Sequence, residues 1–146
     1  MTSKDTQTVS QRNVELLLIS PFEEDHRHLH DKLRHSNWQP HGARTQKEAF
    51  AFLRKSPTPV VLCESRLPDG SWQDVLSHLA GIDRPPLLVV TSRFADDHLW
   101  AEVLNLGGYN VLAKPLDMEE LFHVVGLAWM QWKQRWEPLR QYAMTA

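Results

Sequence analysis

The 146-residue chain contains one cysteine, Cys63, so no disulfide forms within it. It has no apolar run long enough to span a membrane, and its opening, MTSKDTQTVSQRN, is polar throughout, without the apolar centre of a signal sequence. An excess of one charge is missing as well. Sixteen basic residues stand against 18 acidic ones, and the formal charge of −2 gives no electrostatic reason to bind nucleic acid or another polyanion. There is no internal repeat and no low-complexity tract. These absences set the expectation of a cytoplasmic protein without a nucleic-acid or membrane partner. Cys63 sits in the apolar run VVLC with no basic neighbour, which fits a small buried thiol rather than a nucleophile.

What is present is enough apolar material for one core: 42% of the residues are hydrophobic. The expected organisation is a disordered segment over 1–13, one domain over 14–136 and a tail over 137–146. Short continuous apolar runs recur as VELLLIS (14–20), PVVLCE (59–64), PLLVVTS (86–92) and YNVLAKP (109–115). They are too short for helices, and their continuity fits strands covered on both faces, as in parallel sheets. WQPHGART (38–45) is weaker and contains Pro40, which cannot donate to a ladder and therefore suits an edge strand. Helix-like segments alternate with these runs: FEEDHRHLHDKLRH, QKEAFAFLRK, SWQDVLSHL, ADDHLWAEVLNLG and a long last one from Met118 to about Trp136. The alternation predicts an α/β fold of five βα units with right-handed crossovers.

In an open α/β sheet, ligand chemistry lies outside the carboxyl ends of the strands. That rule selects Ser20, Glu64, Thr91, Ser92 and Lys114. A carboxylate, hydroxyls and an ammonium converging on one edge suit phosphoryl chemistry or a plain hydrogen-bonded cluster.

These residues, with SRLPDG after the third strand, VVTSR at the end of the fourth and LGGYNVLAKPLDMEEL around the fifth, resemble a response-regulator receiver domain of two-component signalling. The resemblance runs from about Val14 to Val125. It implies a flavodoxin-like (βα)5 doubly wound sheet of strand order 2-1-3-4-5 and a cis peptide before Pro115. Thr91, Ser92 and Lys114 match the positions that in the family contact the phosphoryl oxygens.

The departures from the family are as informative as the matches. Glu64 stands where the resemblance places the phospho-accepting aspartate. Ser20, Pro21 and Phe22 stand where it places the acidic residues that hold Mg²⁺, and Val111 occupies the aromatic switch position, with Tyr109 close by. One glutamate does not replace the hard oxygen set that Mg²⁺ requires, so Mg²⁺ binding is expected to be weak or absent and no other cofactor is implied. SPFE instead reads as a capping box, with Ser20 at the N-cap, Pro21 at the first helical position and Glu23 at N3. That cap is preferred over a rearranged site using Glu23, Glu24 or Asp25, which are read as complementing the helix dipole. Glu64, one methylene longer than aspartate, is expected to carry its charge towards the place of aspartyl-phosphate oxygens. The bland alternative is a partly buried Glu64 paired with Lys114 for structure alone.

His26, His28 and His30 invite a metal reading, but Phe22, Leu29 and Leu33 already define a buried face there, and a solvated helix face without metal is expected. The last helix carries Val125, Trp129, Trp132 and Trp136 at helical spacing. At about 28 Å it outruns strands of about 17–20 Å, so its last turns are expected to overhang the sheet. Trp129, Trp132 and Trp136, with Trp100 and Leu104, are the expected interface, unless the segment from Leu139 to Met144 covers them. The resemblance points to the same face, formed by the fourth helix, fifth strand and fifth helix, for a protein partner or homodimer. The expected function is a stand-alone, non-catalytic, phosphorylation-independent receiver-like interaction module. The alternatives are a phosphorelay receiver modified at an unorthodox site and a purely structural Glu64. A flavodoxin-like binder of a phosphorylated cofactor fits poorly, because SPFEED puts carboxylates where an anion-binding loop would lie.

Overall fold

The computed structural model describes residues 13–136; the tail expected over 137–146, and the N-terminal segment except Asn13, lie outside the described residues. The chain alternates β1 (Val14–Ile19), α1 (Glu23–Leu33), β2 (Trp38–Ala43), α2 (Gln46–Lys55), β3 (Val60–Glu64), α3 (Trp72–Ala80), β4 (Leu87–Ser92), α4 (Asp97–Leu106), β5 (Asn110–Ala113) and α5 (Met118–Trp136). All five strands are parallel, in the order β2-β1-β3-β4-β5. A two-residue antiparallel pairing, Arg66 with Ser71 and Leu67 with Gly70, closes the turn between β3 and α3. The alternation is thus the one the apolar runs predict, and the flavodoxin-like strand order is the one the receiver resemblance implies.

The runs are continuous because successive side chains enter two different cores. Leu17, Ile19, Val61, Cys63 and Val90 pack under α2, α3 and α4, against Ala49, Leu53, Val75, Leu79 and Val103. Leu16, Leu18, Leu62 and Val89 point the other way, to Leu29 and Leu33 of α1 and Leu121 and Val125 of α5. Pro40 lies opposite Leu16 in β2, an edge strand with β1 as its neighbour.

Three helices start on side-chain caps. The backbone N–H of Glu48 donates to Thr45 Oγ1 and that of Leu99 to Asp96 Oδ1, while Ser71 and Asp74 cap α3 reciprocally. Helix α4 ends on Gly107 at φ 106°, in the left-handed region that favours glycine. The next residue, Gly108, has no room for a side chain: a Cβ there would lie 2.4 Å from Val103 Cγ1 and 3.1 Å from the Val103 carbonyl oxygen. Gly108→Ala is therefore expected to lower the unfolding free energy by about 1–3 kcal/mol through overpacking, read as a lower denaturant midpoint at unchanged m-value.

Helix α5 has the predicted length, but its tryptophans do not form the expected patch. Trp132 is only 9% exposed, and its indole N–H donates to the Arg84 carbonyl at 3.4 Å. The loop between α3 and β4 makes that contact by turning at Arg84, whose φ of 56° is left-handed. The overhanging turn is thus received by a loop instead of being left bare. Trp129 is half-buried and packs on the α1 and α5 core. At about 100° per residue it lies close to Phe122, whose ring meets Trp38 of β2 edge-on at 4.7 Å, and nearly opposite Leu127. Trp129 therefore faces away from α4, and Trp136 is half-buried. The large apolar side chains that α4 and α5 do expose include Trp100, Leu106, Leu127 and Met130, with Leu104 half-buried among them.

Candidate functional site

Glu64 is the last residue of β3 and lies in register with Thr91 of β4. Lys114 follows β5, where its backbone N–H donates to the Ser92 carbonyl at 3.0 Å and extends the ladder by one step. Sheet pairing alone thus places a carboxylate, a hydroxyl and an ammonium on three adjacent strand ends. Lys114 Nζ lies 2.7 Å from Glu64 Oε1, and Thr91 Oγ1 donates to Glu64 Oε2 at 3.3 Å. Glu64 is 6% exposed and Thr91 1%. The Lys114–Pro115 peptide is cis.

The same ammonium lies 2.8 Å from Asp25 Oδ2, which also accepts from Ser20 Oγ at 2.7 Å. The Phe22 ring sits below it, 4.8 Å from Nζ to the centroid, in cation–π geometry. Five side chains thus form one chain of contacts: Thr91, Glu64, Lys114, Asp25 and Ser20. Two carboxylates share one ammonium, and the cluster carries a net charge of −1.

The expected capping box at Ser20 is not formed. Helix α1 begins at Glu23 behind Phe22, with no side-chain cap. Ser20 is fully buried and still belongs to the sheet, since its backbone N–H donates to the Ala43 carbonyl; its hydroxyl accepts from the Phe22 N–H at 3.1 Å. The helix therefore starts two residues later than the pattern implies. Glu23 turns outward to Arg44, 2.7 Å from its Nη2, and that guanidinium holds the Glu23 carboxyl below its ordinary value of 4.5. Asp25, read from the sequence as a dipole partner, falls inside the site. The signal for it was spacing: Asp25, Leu29 and Leu33 recur every four residues, and both leucines are buried against the sheet.

The remaining candidates are spread more widely. Ser92 Oγ accepts from the Phe94 N–H at 3.0 Å and closes the loop after β4. Val111 is buried under α4 and Tyr109 packs in the opposite core. His26 Nε2–H donates to the Ser20 carbonyl at 2.8 Å. Burial, with Glu64 adjoining, pushes the Cys63 thiol far above its ordinary value, and its Sγ–H donates to the Glu64 carbonyl.

Among the described residues no group of three or more His, Cys, Asp or Glu is placed to hold a metal. The carboxylates nearest to doing so, Asp25 and Glu64, already converge on the Lys114 ammonium. Beside the cluster lies an open cavity of about 880 Å³, lined among others by Phe22, Arg66, Trp72, Arg93 and Phe94.

No protein-family model matches the chain. A curated relative, the response regulator protein PilR of Pseudomonas aeruginosa, is 31% identical over 87 residues, which is 59% of this chain and 19% of PilR. The chain thus spans about a fifth of that relative's length. Among solved structures, the signal receiver domain of a putative Luxo repressor protein from Vibrio parahaemolyticus superposes with a TM-score of 0.78 at 20% identity, covering 84% of this chain and 95% of that one. The signal receiver domain of an HD domain-containing protein from Pseudomonas fluorescens Pf-5 gives 0.77 at 23%, covering 85% and 92%. The beryllofluoride-activated NtrC4 receiver domain dimer gives 0.74 at 19%, covering 81% and 98%. The fold is that of response-regulator receiver domains.

Proposed function

We propose that this chain is a signalling module of the receiver type that works through protein contacts without being phosphorylated, and that it is not an enzyme. One observation carries the reading: the two oxygens of Glu64 are taken separately by Thr91 and Lys114, the residues matched to the family's phosphoryl contacts. Glu64 thereby keeps those two side chains engaged permanently, at lower charge than a phosphoryl group. The convergence of Asp25 and Glu64 on the Lys114 ammonium supports this reading. The partner face is the one formed by α4, β5 and α5, with Trp100, Leu106, Leu127 and Met130 as its exposed apolar groups. A partner protein or a second copy of the chain suits it, and one of the similar structures is itself a receiver dimer. No helix among the described residues is long and apolar enough to cross a membrane.

The test is intact mass spectrometry after incubation with acetyl phosphate and Mg²⁺, beside an authentic receiver. The expected spectrum shows no phosphoryl adduct. A stoichiometric, Mg²⁺-dependent adduct would sink the proposal in favour of a phosphorelay receiver, and Asp25 is the first residue to map, because it shares Lys114 with Glu64. In parallel, Glu64→Gln is expected to weaken the partner complex or dimer roughly tenfold while the fold holds, since Lys114 keeps Asp25 as counter-ion. An unchanged association constant in analytical ultracentrifugation would make Glu64 structural only.

A further inference from the structure

At the opposite edge of the sheet from Glu64, below the amino-terminal ends of the strands, lies a second concavity of about 430 Å³. Its walls come from the end of α2, the end of α3, the loop before β4 and the last turns of α5. Phe50, Leu53, Ile82, Pro86 and Trp132 make it largely apolar. Its volume falls in the range of small-molecule sites, which combine apolar walls with a few placed polar groups.

Three features mark it as built. Phe50 and His78 stack with centroids 3.6 Å apart and an interplanar angle of 13°, forming one flat wall. The Trp132 indole forms another and is held in place by its hydrogen bond to the Arg84 carbonyl. Arg84 itself adopts φ 56°, the one left-handed non-glycine residue described, and such conformations concentrate where a backbone is held for binding.

The rim supplies the charge. Arg54 and Arg84 both line the mouth, both are exposed, and neither forms an ion pair among the described residues. Asp83 is the acidic residue of the lining, so the two arginines leave the mouth net positive. Flat aromatic walls under a guanidinium rim match a flat apolar body carrying one anionic group.

We propose that this cavity is a binding site for a small aromatic carboxylate, with its ring on Phe50, Ile82 and Trp132 and its carboxylate at Arg54 and Arg84. The site shares no residue with the Glu64 cluster, so it stands whether or not the receiver reading holds.

The test uses the full chain with 2-naphthoate and its uncharged analogue 2-naphthalenemethanol, followed by isothermal titration and by ¹H–¹⁵N NMR of the Trp132 indole and the Ile82 amide. Naphthoate is expected to shift both signals, leave Glu64 and Lys114 unmoved, and bind at least tenfold more tightly than the alcohol. Arg54→Gln, an exposed change that leaves the core untouched, is expected to erase most of that preference. Ile82→Trp, which fills the cavity, is expected to abolish binding of both probes; circular dichroism verifies that each variant is folded. Absence of naphthoate binding, equal affinity for the alcohol, shifts centred elsewhere, or an Arg54→Gln protein that keeps the full preference would each overturn the proposal.

Discussion

Lys114→Met is expected to lower the unfolding free energy by about 3–5 kcal/mol. The side chain is 6% exposed and faces two carboxylates at 2.7 and 2.8 Å. Removing the ammonium leaves two negative charges close together at the edge of the core, where little water reaches Glu64. The loss is much larger than for an exposed ion pair, such as that of Arg34 with Asp31, which is worth about 1 kcal/mol or less. Chemical denaturation at neutral pH measures it. If uncompensated charge is the cause, adding Asp25→Asn and Glu64→Gln to Lys114→Met restores most of the stability, because a neutral hydrogen-bonded cluster carries no net charge to solvate. If the triple variant stays as unstable as the single one, the cation–π contact of the ammonium with the Phe22 ring is what matters. The comparison bears on function too, because Lys114 is one of the two side chains that hold Glu64.

Trp132→Ala is expected to have a similar effect, about 3–5 kcal/mol, or a fall in melting temperature of roughly 10 °C or more for a chain of this size. The ring is 9% exposed, lies against the loop before β4 and donates to the Arg84 carbonyl. Trp132→Phe keeps much of the apolar contact but loses the hydrogen bond, and is expected to cost about 1 kcal/mol. Trp100→Ala serves as the control. That ring is half exposed, so its removal is expected to leave stability within about 0.5 kcal/mol and to act on association instead. A Trp132→Ala protein that melted like the wild type but lost a partner would return Trp132 to an interface.

The two substitutions separate what is legible in this sequence from what is not. The strands of the sheet are legible because the apolar side chains of β1, β3 and β4 enter one or other of two cores, so an unbroken apolar run has no other economical explanation. Pro40 marks β2 as an edge for a reason equally local, its missing N–H. Glu64, Thr91 and Lys114 are legible as a group, since a polar residue that ends a buried strand must find partners at that same edge.

Ser20 shows where local pattern fails. SPFE fits the pattern of a helix start, but the Ser20 hydroxyl accepts from the Phe22 N–H and donates to the Asp25 carboxylate, and the helix begins behind Phe22 instead. The two-residue delay puts Asp25 in the third helical position, on the stripe of Leu29 and Leu33 and within reach of Lys114. The tryptophans of α5 fail for a different reason. Helical spacing says which side chains share a face, but not what that face meets, and Trp132 became core when the loop at Arg84 turned back to receive it.

The sequence by itself therefore determined the alternation of strands and helices, the parallel sheet and the strand ends at which polar residues gather, because those depend on periodicity and backbone chemistry read over a few residues. Only the tertiary structure decided that Asp25 joins Glu64 on one ammonium and that Trp132 walls a cavity. Both outcomes depend on contacts between segments 48 or more residues apart, where the arrangement of the whole sheet sets which side chains meet.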